Sequence, residues 1–197
     1  GTGMGAGLIL NGKLYSGTNH LAGEVGHIRL DKEGPVGYGK RGSFEGFCSG
    51  GGIADLGRKW AAEALDTGNP PLFCQRKEEL SSISAKSIAE AMEQGDHLAA
   101  DIFNTVGEYL GRGVSLLIDI LNPERIIIGS IYVRQKETLE KRMLQVIEAE
   151  ALRESAKVCR ILPASLGEQI GDYAAVSVGI KAYEDLYSDG MEEMRVI

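Results

Sequence analysis

Apolar and polar positions along the chain change period several times, and each change marks an element. Gly7 to Tyr15 (GLILNGKLY) places apolar, β-prone residues on both sides of Asn11-Gly12, a dipeptide that readily takes the positive φ angles of a two-residue turn, so a β-hairpin is predicted. Glu24 to Leu30 (EVGHIRL) alternates and predicts a further strand. From Asp31 to Gly52 no period holds, and a loop of that length in a compact domain points to function. Ile53 to Leu65 has helix composition and is stopped by Thr67-Gly68-Asn69-Pro70-Pro71, since proline lacks an amide donor and restricts the residue before it.

Ser84 to Gln94 predicts a short helix. Asp96 to Leu121 predicts a long, largely buried one, with Leu98, Ile102, Val106 and Leu110 at i, i+4 spacing, continuing through Leu117 and Ile120 until Asn122-Pro123. Arg125 to Ile131 (RIIIGSI) reads as a central strand, and Lys136 to about Leu152 as a helix with Leu139, Met143 and Ile147 inward. Val158 to Pro163 is a last strand and Asp172 to Tyr187 a last helix, with Asp172 placed to cap it; a polar, acidic tail follows from Ser188. This order predicts an α/β layer in which helices cover a mixed sheet, without an internal repeat.

Composition narrows the partners. The 197 residues are 43% hydrophobic and 25% charged, enough for one compact domain with a real core. The net charge is −7 and the 21 Lys and Arg residues are scattered, which argues against direct nucleic-acid contact. Cys48, Cys74 and Cys159 are far apart and form no Cys-x-x-Cys pair, as expected of a reducing, cytoplasmic compartment. The longest apolar run, Val114 to Leu121, is interrupted by Ser115 and Asp119 and falls short of the roughly 18 to 20 residues of a membrane span, so no membrane partner is expected. The chain opens on Gly1 inside a glycine-rich motif with no methionine, which reads as a truncated start with any targeting segment lying outside it.

Two clusters carry candidate chemistry. GTGMGAG has glycine at every second position, which lets successive amides turn toward one anion, and Thr2 adds a hydroxyl donor. It is neither a Walker motif, as no GK[ST] follows, nor a dinucleotide fingerprint, as a hairpin rather than a helix comes next. The alternative is a tight strand entrance. Gly23-Glu24-Val25-Gly26-His27 sets a carboxylate and an imidazole around a glycine kink, with Glu45 further on, and two carboxylates with a histidine suit the vicinal hydroxyls of a hexose. The alternative there is a structural Glu–His hydrogen-bonded pair.

GTGMGAGLILNGKLYSGTNHLAGEVGHI resembles the signature region of the ROK (repressor, open reading frame, kinase) family, in which a glycine-rich phosphate segment, a hairpin and a Glu-x-Gly-His motif follow in that order. The family's Cys-x-Cys-Gly-x-x-Gly-Cys-x-Glu run corresponds to Val36 through Glu45. Val36, Tyr38 and Ser43 stand where the family's three cysteines bind zinc together with its histidine. No structural zinc is therefore expected, since none of the three is a plausible ligand; packing by Tyr38, Phe44 and Phe47 is expected to hold the loop. LNPERIIIGS (Leu121 to Ser130) resembles the adenosine segment, with Ser130 in place of its second glycine, and Gly167 to Ala182 is similar to the helix closing the family's C-terminal lobe.

The resemblance implies the actin-like ATPase (ribonuclease H-like) fold. Residues 1–187 would form its C-terminal lobe, 31–52 a sugar-site loop and 188–197 a tail, with the N-terminal lobe outside this chain. It implies sugar ligands at Glu24, His27 and Glu45, ATP-phosphate contacts at Gly1, Thr2, Gly3 and Gly5, and an adenosine contact at Gly129. The implied activity is phosphorylation of a hexose or N-acetylhexosamine with ATP and Mg2+, by a protein that pairs as a homodimer. The catalytic aspartate would lie upstream, since Asp31, Asp55 and Asp172 do not match its context, so this chain alone is expected to be inactive. Two alternatives are a sugar-sensing, dimerising domain of a transcriptional regulator and a scaffold module that has lost its ligand. Thr2 favours the kinase.

Overall fold

The computed structural model describes residues 3–193. The hairpin forms as its turn dictates: β1 (Leu8–Leu10) pairs antiparallel with β2 (Lys13–Tyr15), and Asn11 and Gly12 both take positive φ, 52° and 74°. The predicted strand over 24–30 is not one. Val25–His27 is a 3-10 turn, in which His27 N donates to Glu24 O and Ile28 N to Val25 O. Among the described residues the segment's one β-bridge is Arg29 with Ser43, antiparallel. The alternation is real over His27–Leu30, where exposed and half-buried residues alternate, but it does not extend into a ladder.

The predicted loop over 31–52 is largely structured. It holds a small hairpin, β3 (Val36–Gly37) with β4 (Lys40–Arg41), then α1 (Phe44–Cys48) and the first turn of α2 (Gly50–Asp66). Two serines explain why glycine-rich chain is helical here: the Ser43 side chain accepts from Gly46 N and that of Ser49 from Gly52 N, each satisfying a first-turn amide.

A short 3-10 turn at Lys77–Ser82 precedes α3 (Ala85–Glu93), which begins with a reciprocal cap between Ser84 and Ser87. The organising element is α4 (His97–Leu121), capped by Asp96 and ended by Asn122 in the left-handed conformation. Its buried face runs Ile102, Val106, Leu110, Val114 and Ile118, joined by Phe103, while Leu98 and Leu117 are half-buried and Ile120 is 72% exposed. The i, i+4 register thus persists to the helix end, and Leu117 and Ile120 lie off it.

The chain then forms β5 (Arg125–Ile128), a short α5 (Ile131–Arg134), α6 (Lys136–Glu150), α7 (Arg153–Val158), β6 (Arg160–Pro163) and α8 (Ile170–Glu193). The predicted strand to Ile131 stops at Ile128 because Ser130, at φ 57° and ψ −123°, turns the backbone into α5. The unpredicted α7 takes Val158, the first residue of the predicted last strand, and Cys159 caps it, so β6 begins at Arg160. Helix α8 begins two residues before Asp172, which lies inside its first turn rather than capping it, and it continues past Tyr187 into the predicted tail. A 3-10 turn at Gly167–Gln169 precedes it.

Among the described residues the strands fall into three two-stranded pairs, β1–β2 and β3–β4 antiparallel and β5–β6 parallel with Arg125 opposite Arg160. The core lies between α4 and its neighbours, with Phe44, Ile53, Ile88, Ile102, Phe103, Tyr132, Leu139 and Met143 almost fully buried. Among the described residues no helix is long and apolar enough to cross a membrane.

Candidate functional site

The glycine-rich segment ahead of β1 lies against the turn at 23–27 through backbone contacts. Ala6 N donates to Gly23 O at 2.8 Å. Gly23 has φ +98°, and a Cβ on it would come within 1.9 Å of Ala6 O; one on Gly26 would meet Met4 O at 2.3 Å and Glu45 Cβ at 3.2 Å. Only glycine permits this approach. Met4 N donates to Glu45 Oε2 at 2.9 Å, across 41 residues of sequence.

Glu24 and His27 flank Gly26, and Gly26 packs on Glu45, so the structure brings the three predicted sugar ligands to one neighbourhood. The element carrying Glu45 is tied to the turn by Phe44 N donating to Ile28 O at 2.8 Å. Glu24 and His27 are exposed and Glu45 is half-buried. The His27 carbonyl accepts from Lys40 Nζ at 2.7 Å, and its ring meets Tyr38 edge-on at 6.2 Å.

Packing anchors the loop from behind. Phe47 stacks on Tyr109 of α4, with ring centroids 3.4 Å apart and planes within 5°. The Tyr109 hydroxyl donates to Asp31 Oδ2 at 2.7 Å, and the Arg112 guanidinium lies over the Tyr109 ring. That hydroxyl, then the Glu33 and Lys32 amides, hold the Asp31 carboxyl below the usual carboxylate range. Burial, then Asp31, push the Tyr109 phenol up to about 12. Of the three aromatics expected to hold the loop, Phe44 and Phe47 are buried, whereas Tyr38 is 86% exposed because it occupies the β3–β4 turn at φ 46°.

The residues at the family's zinc positions do not fit that ion. Val36 is aliphatic, Tyr38 projects from the turn, and the Ser43 hydroxyl accepts from Gly46 N and donates to Gly37 O. Nearby Cys48 is buried, its Sγ toward Val106 O at 3.7 Å, and burial pushes its thiol up strongly. Among the described residues no group of three or more His, Cys, Asp or Glu could hold a metal.

On its other side the glycine segment lines a cleft of about 500 Å³. Gly3, Met4, Gly5 and Ala6 form one wall, Ser49 and Gly50 at the start of α2 another, and Ile128, Gly129, Ser130 and Ile131 a third, over an apolar floor of Val106, Leu110 and Val114. Gly3, Gly5 and Gly129 therefore share one cleft; Gly1 and Thr2 lie outside the described residues. Glu24, His27 and Glu45 do not line it, and the glycine segment is the stretch common to both regions. Sequence reasoning missed Ser49 and Gly50, whose helix end offers first-turn amides and a positive dipole to the cleft. The signal was present in Ser49-Gly50-Gly51-Gly52, a cap that takes the Gly52 amide and is followed by glycines whose lack of side chains leaves the first-turn amides of Gly50 and Gly51 approachable.

The mixed α/β structure that carries this glycine segment, turn and cleft shares the actin-like ATPase fold of its structural neighbours. The sequence model of the ROK family matches residues 1–179, and the chain belongs to the ROK family. It is 33% identical to a glucokinase of Halalkalibacterium halodurans over 87% of this chain and 51% of that protein. It is 27% identical to the N-acetylglucosamine repressor of Shigella flexneri over 77% of this chain and 35% of the repressor. Among solved structures, a ROK family glucokinase from Streptomyces griseus in complex with glucose and AMPPNP superposes with a TM-score of 0.71 at 28% identity, covering 87% of this chain and 55% of that one. The chain thus spans about half the length of the glucokinases it matches.

Proposed function

We propose that the full-length protein transfers the γ-phosphoryl group of ATP to a hydroxyl of a hexose or N-acetylhexosamine. The observation that carries this reading is the arrangement of one glycine segment. It lines a cleft with Gly129 and the start of α2 while bonding to Glu45 beside Glu24 and His27. Phosphoryl transfer asks a protein mainly for positioning and charge stabilisation, and these residues are of the kinds that supply both.

Glu24, His27 and Glu45 would accept and donate hydrogen bonds to vicinal sugar hydroxyls. Gly1, Thr2, Gly3, Gly5 and the open amides of α2 would receive the phosphates, with Gly129 beside the adenosine. Mg2+ would neutralise phosphate charge, arriving on the nucleotide, as the described residues hold no cluster for it. The base that takes the sugar proton would come from outside this chain. In support, Asp31 is held by Tyr109, Asp55 by Arg58, Asp96 by the Ala99 and Leu72 amides, and Asp119 by the Leu152 amide. The reading carries with it a cytoplasmic homodimer.

The similarity to a sugar-responsive repressor supports a second reading, in which the lobe senses a sugar without phosphorylating it. ADP release by the full-length protein with Mg·ATP over a panel of hexoses and N-acetylhexosamines separates the two, with the 197-residue chain run beside it. Turnover on one sugar by the full-length protein alone is expected. Sugar binding without turnover moves the assignment to the sensor, and turnover by this chain itself refutes the placement of the base.

A further inference from the structure

Resting on that reading, we infer that Glu45 is more than a sugar ligand: it is the positioning residue through which sugar occupancy orders the phosphate-binding glycine segment. A carboxylate offers about four acceptor sites on two oxygens. Here Oε2 accepts the Met4 amide at 2.9 Å, and the side chain is half-buried, so acceptor capacity remains for a sugar hydroxyl.

Among the described residues, the glycine segment ahead of β1 is hydrogen-bonded to the body at two points, Ala6 N to Gly23 O and Met4 N to Glu45. Upstream of Ala6 the second is the one that sets amide direction. Met4 lies between Gly3 and Gly5, both on the cleft wall, and holding the Gly3–Met4 peptide plane leaves each neighbouring plane only one residue's φ and ψ through which to turn. The backbone under Glu45 is firm, since α1 is capped by Ser43 and its Phe47 stacks on Tyr109. The Glu45 side chain is anchored by Met4 N at one oxygen, and a sugar hydroxyl bonded to it restricts its torsions further. Sugar and nucleotide then strengthen each other's binding by the same factor.

The test titrates AMPPNP into the full-length protein with and without saturating glucose, and again with N-acetylglucosamine, by calorimetry. Wild type is expected to bind AMPPNP about 5-fold or more tighter with its sugar, at the low end of measured couplings. Met4→Pro removes the amide donor and leaves every sugar ligand in place; its coupling is expected to fall below about 2-fold, with little change in sugar affinity without nucleotide. Unchanged coupling in Met4→Pro, or none in wild type that binds sugar, overturns the inference. If Met4→Pro does not fold, Glu45→Gln and Glu24→Gln decide it at saturating sugar. Coupling lost in the first and kept in the second supports it; the same result in both overturns it. A wild type that binds neither sugar instead removes the proposed function, and this inference with it.

Discussion

Replacing Gly111 by alanine tests how closely α4 and α6 are locked. Taken alone the substitution favours the helix, since alanine exceeds glycine by about 1 kcal/mol at an interior position. The structure predicts the opposite sign. An added Cβ would lie 2.6 Å from Val146 Cβ, 2.9 Å from Val146 Cγ1 and 2.8 Å from the Met143 carbonyl oxygen. Ordinary carbon contacts are about 3.5–4.0 Å, so the helices must part by close to 1 Å. Neither neighbour yields easily, because one is backbone and the other is β-branched with a single preferred helical rotamer. Overpacking of this kind costs about 1–3 kcal/mol, and the upper end applies; after the propensity gain the net is about 2 kcal/mol of destabilisation.

Gly107, one turn earlier on the same face, is the internal control. Its Cβ would meet Arg142 Cβ at 3.0 Å and the Leu139 carbonyl oxygen at 3.2 Å, contacts relieved by a few tenths of an ångström. The propensity gain is the same, so Gly107→Ala should lie within about 0.5 kcal/mol of wild type. Urea denaturation of the chain, followed by helical circular dichroism, measures both. A difference of at least about 1.5 kcal/mol between the variants is expected, or roughly 3–6 °C in Tm for a domain of this size. Equal effects, or a more stable Gly111→Ala, would refute the claim that α6 rests on the backbone of α4 at this point.

Three further outcomes follow from single positions. Gly23→Ala places a methyl 1.9 Å from Ala6 O at φ +98° and must displace the glycine segment, so on the proposed kinase reading kcat/KM for ATP in the full-length protein should fall about 100-fold, and the strain of about 1–3 kcal/mol should lower Tm by roughly 2–12 °C; kinetics beside a thermal melt checks both. Ser130→Gly set against Ser130→Ala, both of which lose the hydroxyl, relieves a conformation that costs a side chain about 1–3 kcal/mol, against about 0.5–1 kcal/mol of added chain entropy, so the glycine variant should unfold roughly 2–4 °C above the alanine variant in thermal melts. Tyr109→Phe acts through Asp31, whose carboxyl is held below its ordinary value in the folded state: its contribution is present above about pH 4 and is lost as pH falls through the lowered value. The stability difference between pH 7 and pH 3 from urea melts should therefore shrink in Tyr109→Phe, and an unchanged difference would remove the Tyr109–Asp31 bond from the account.

What was legible in the sequence and what was not divide along the range of the interactions. Asn11-Gly12, the stop at Asn122-Pro123, and the helix, strand, helix order around Arg125–Ile128 depend on neighbours a few residues away, and the hairpin, α4, the start of β5 and α6 form where their residues place them, while β5 ends three residues early at Ile128. The turn at 25–27 does not, because Gly26 is shaped by Met4 and Glu45, which no local period encodes. Helices of five or six residues such as α1 and α7 are too short to stand on propensity, and α1 exists through its serine cap and the Phe47–Tyr109 stack. The candidate site has the same character. Its residue types were readable from motif order, but the wall made by Ser49 and Gly50 was hidden in a run that composition labels a loop. The Met4–Glu45 bond joins positions 41 residues apart and the Ala6–Gly23 bond positions 17 apart, so the contacts linking the two halves of the site are of the kind that only the folded chain reveals.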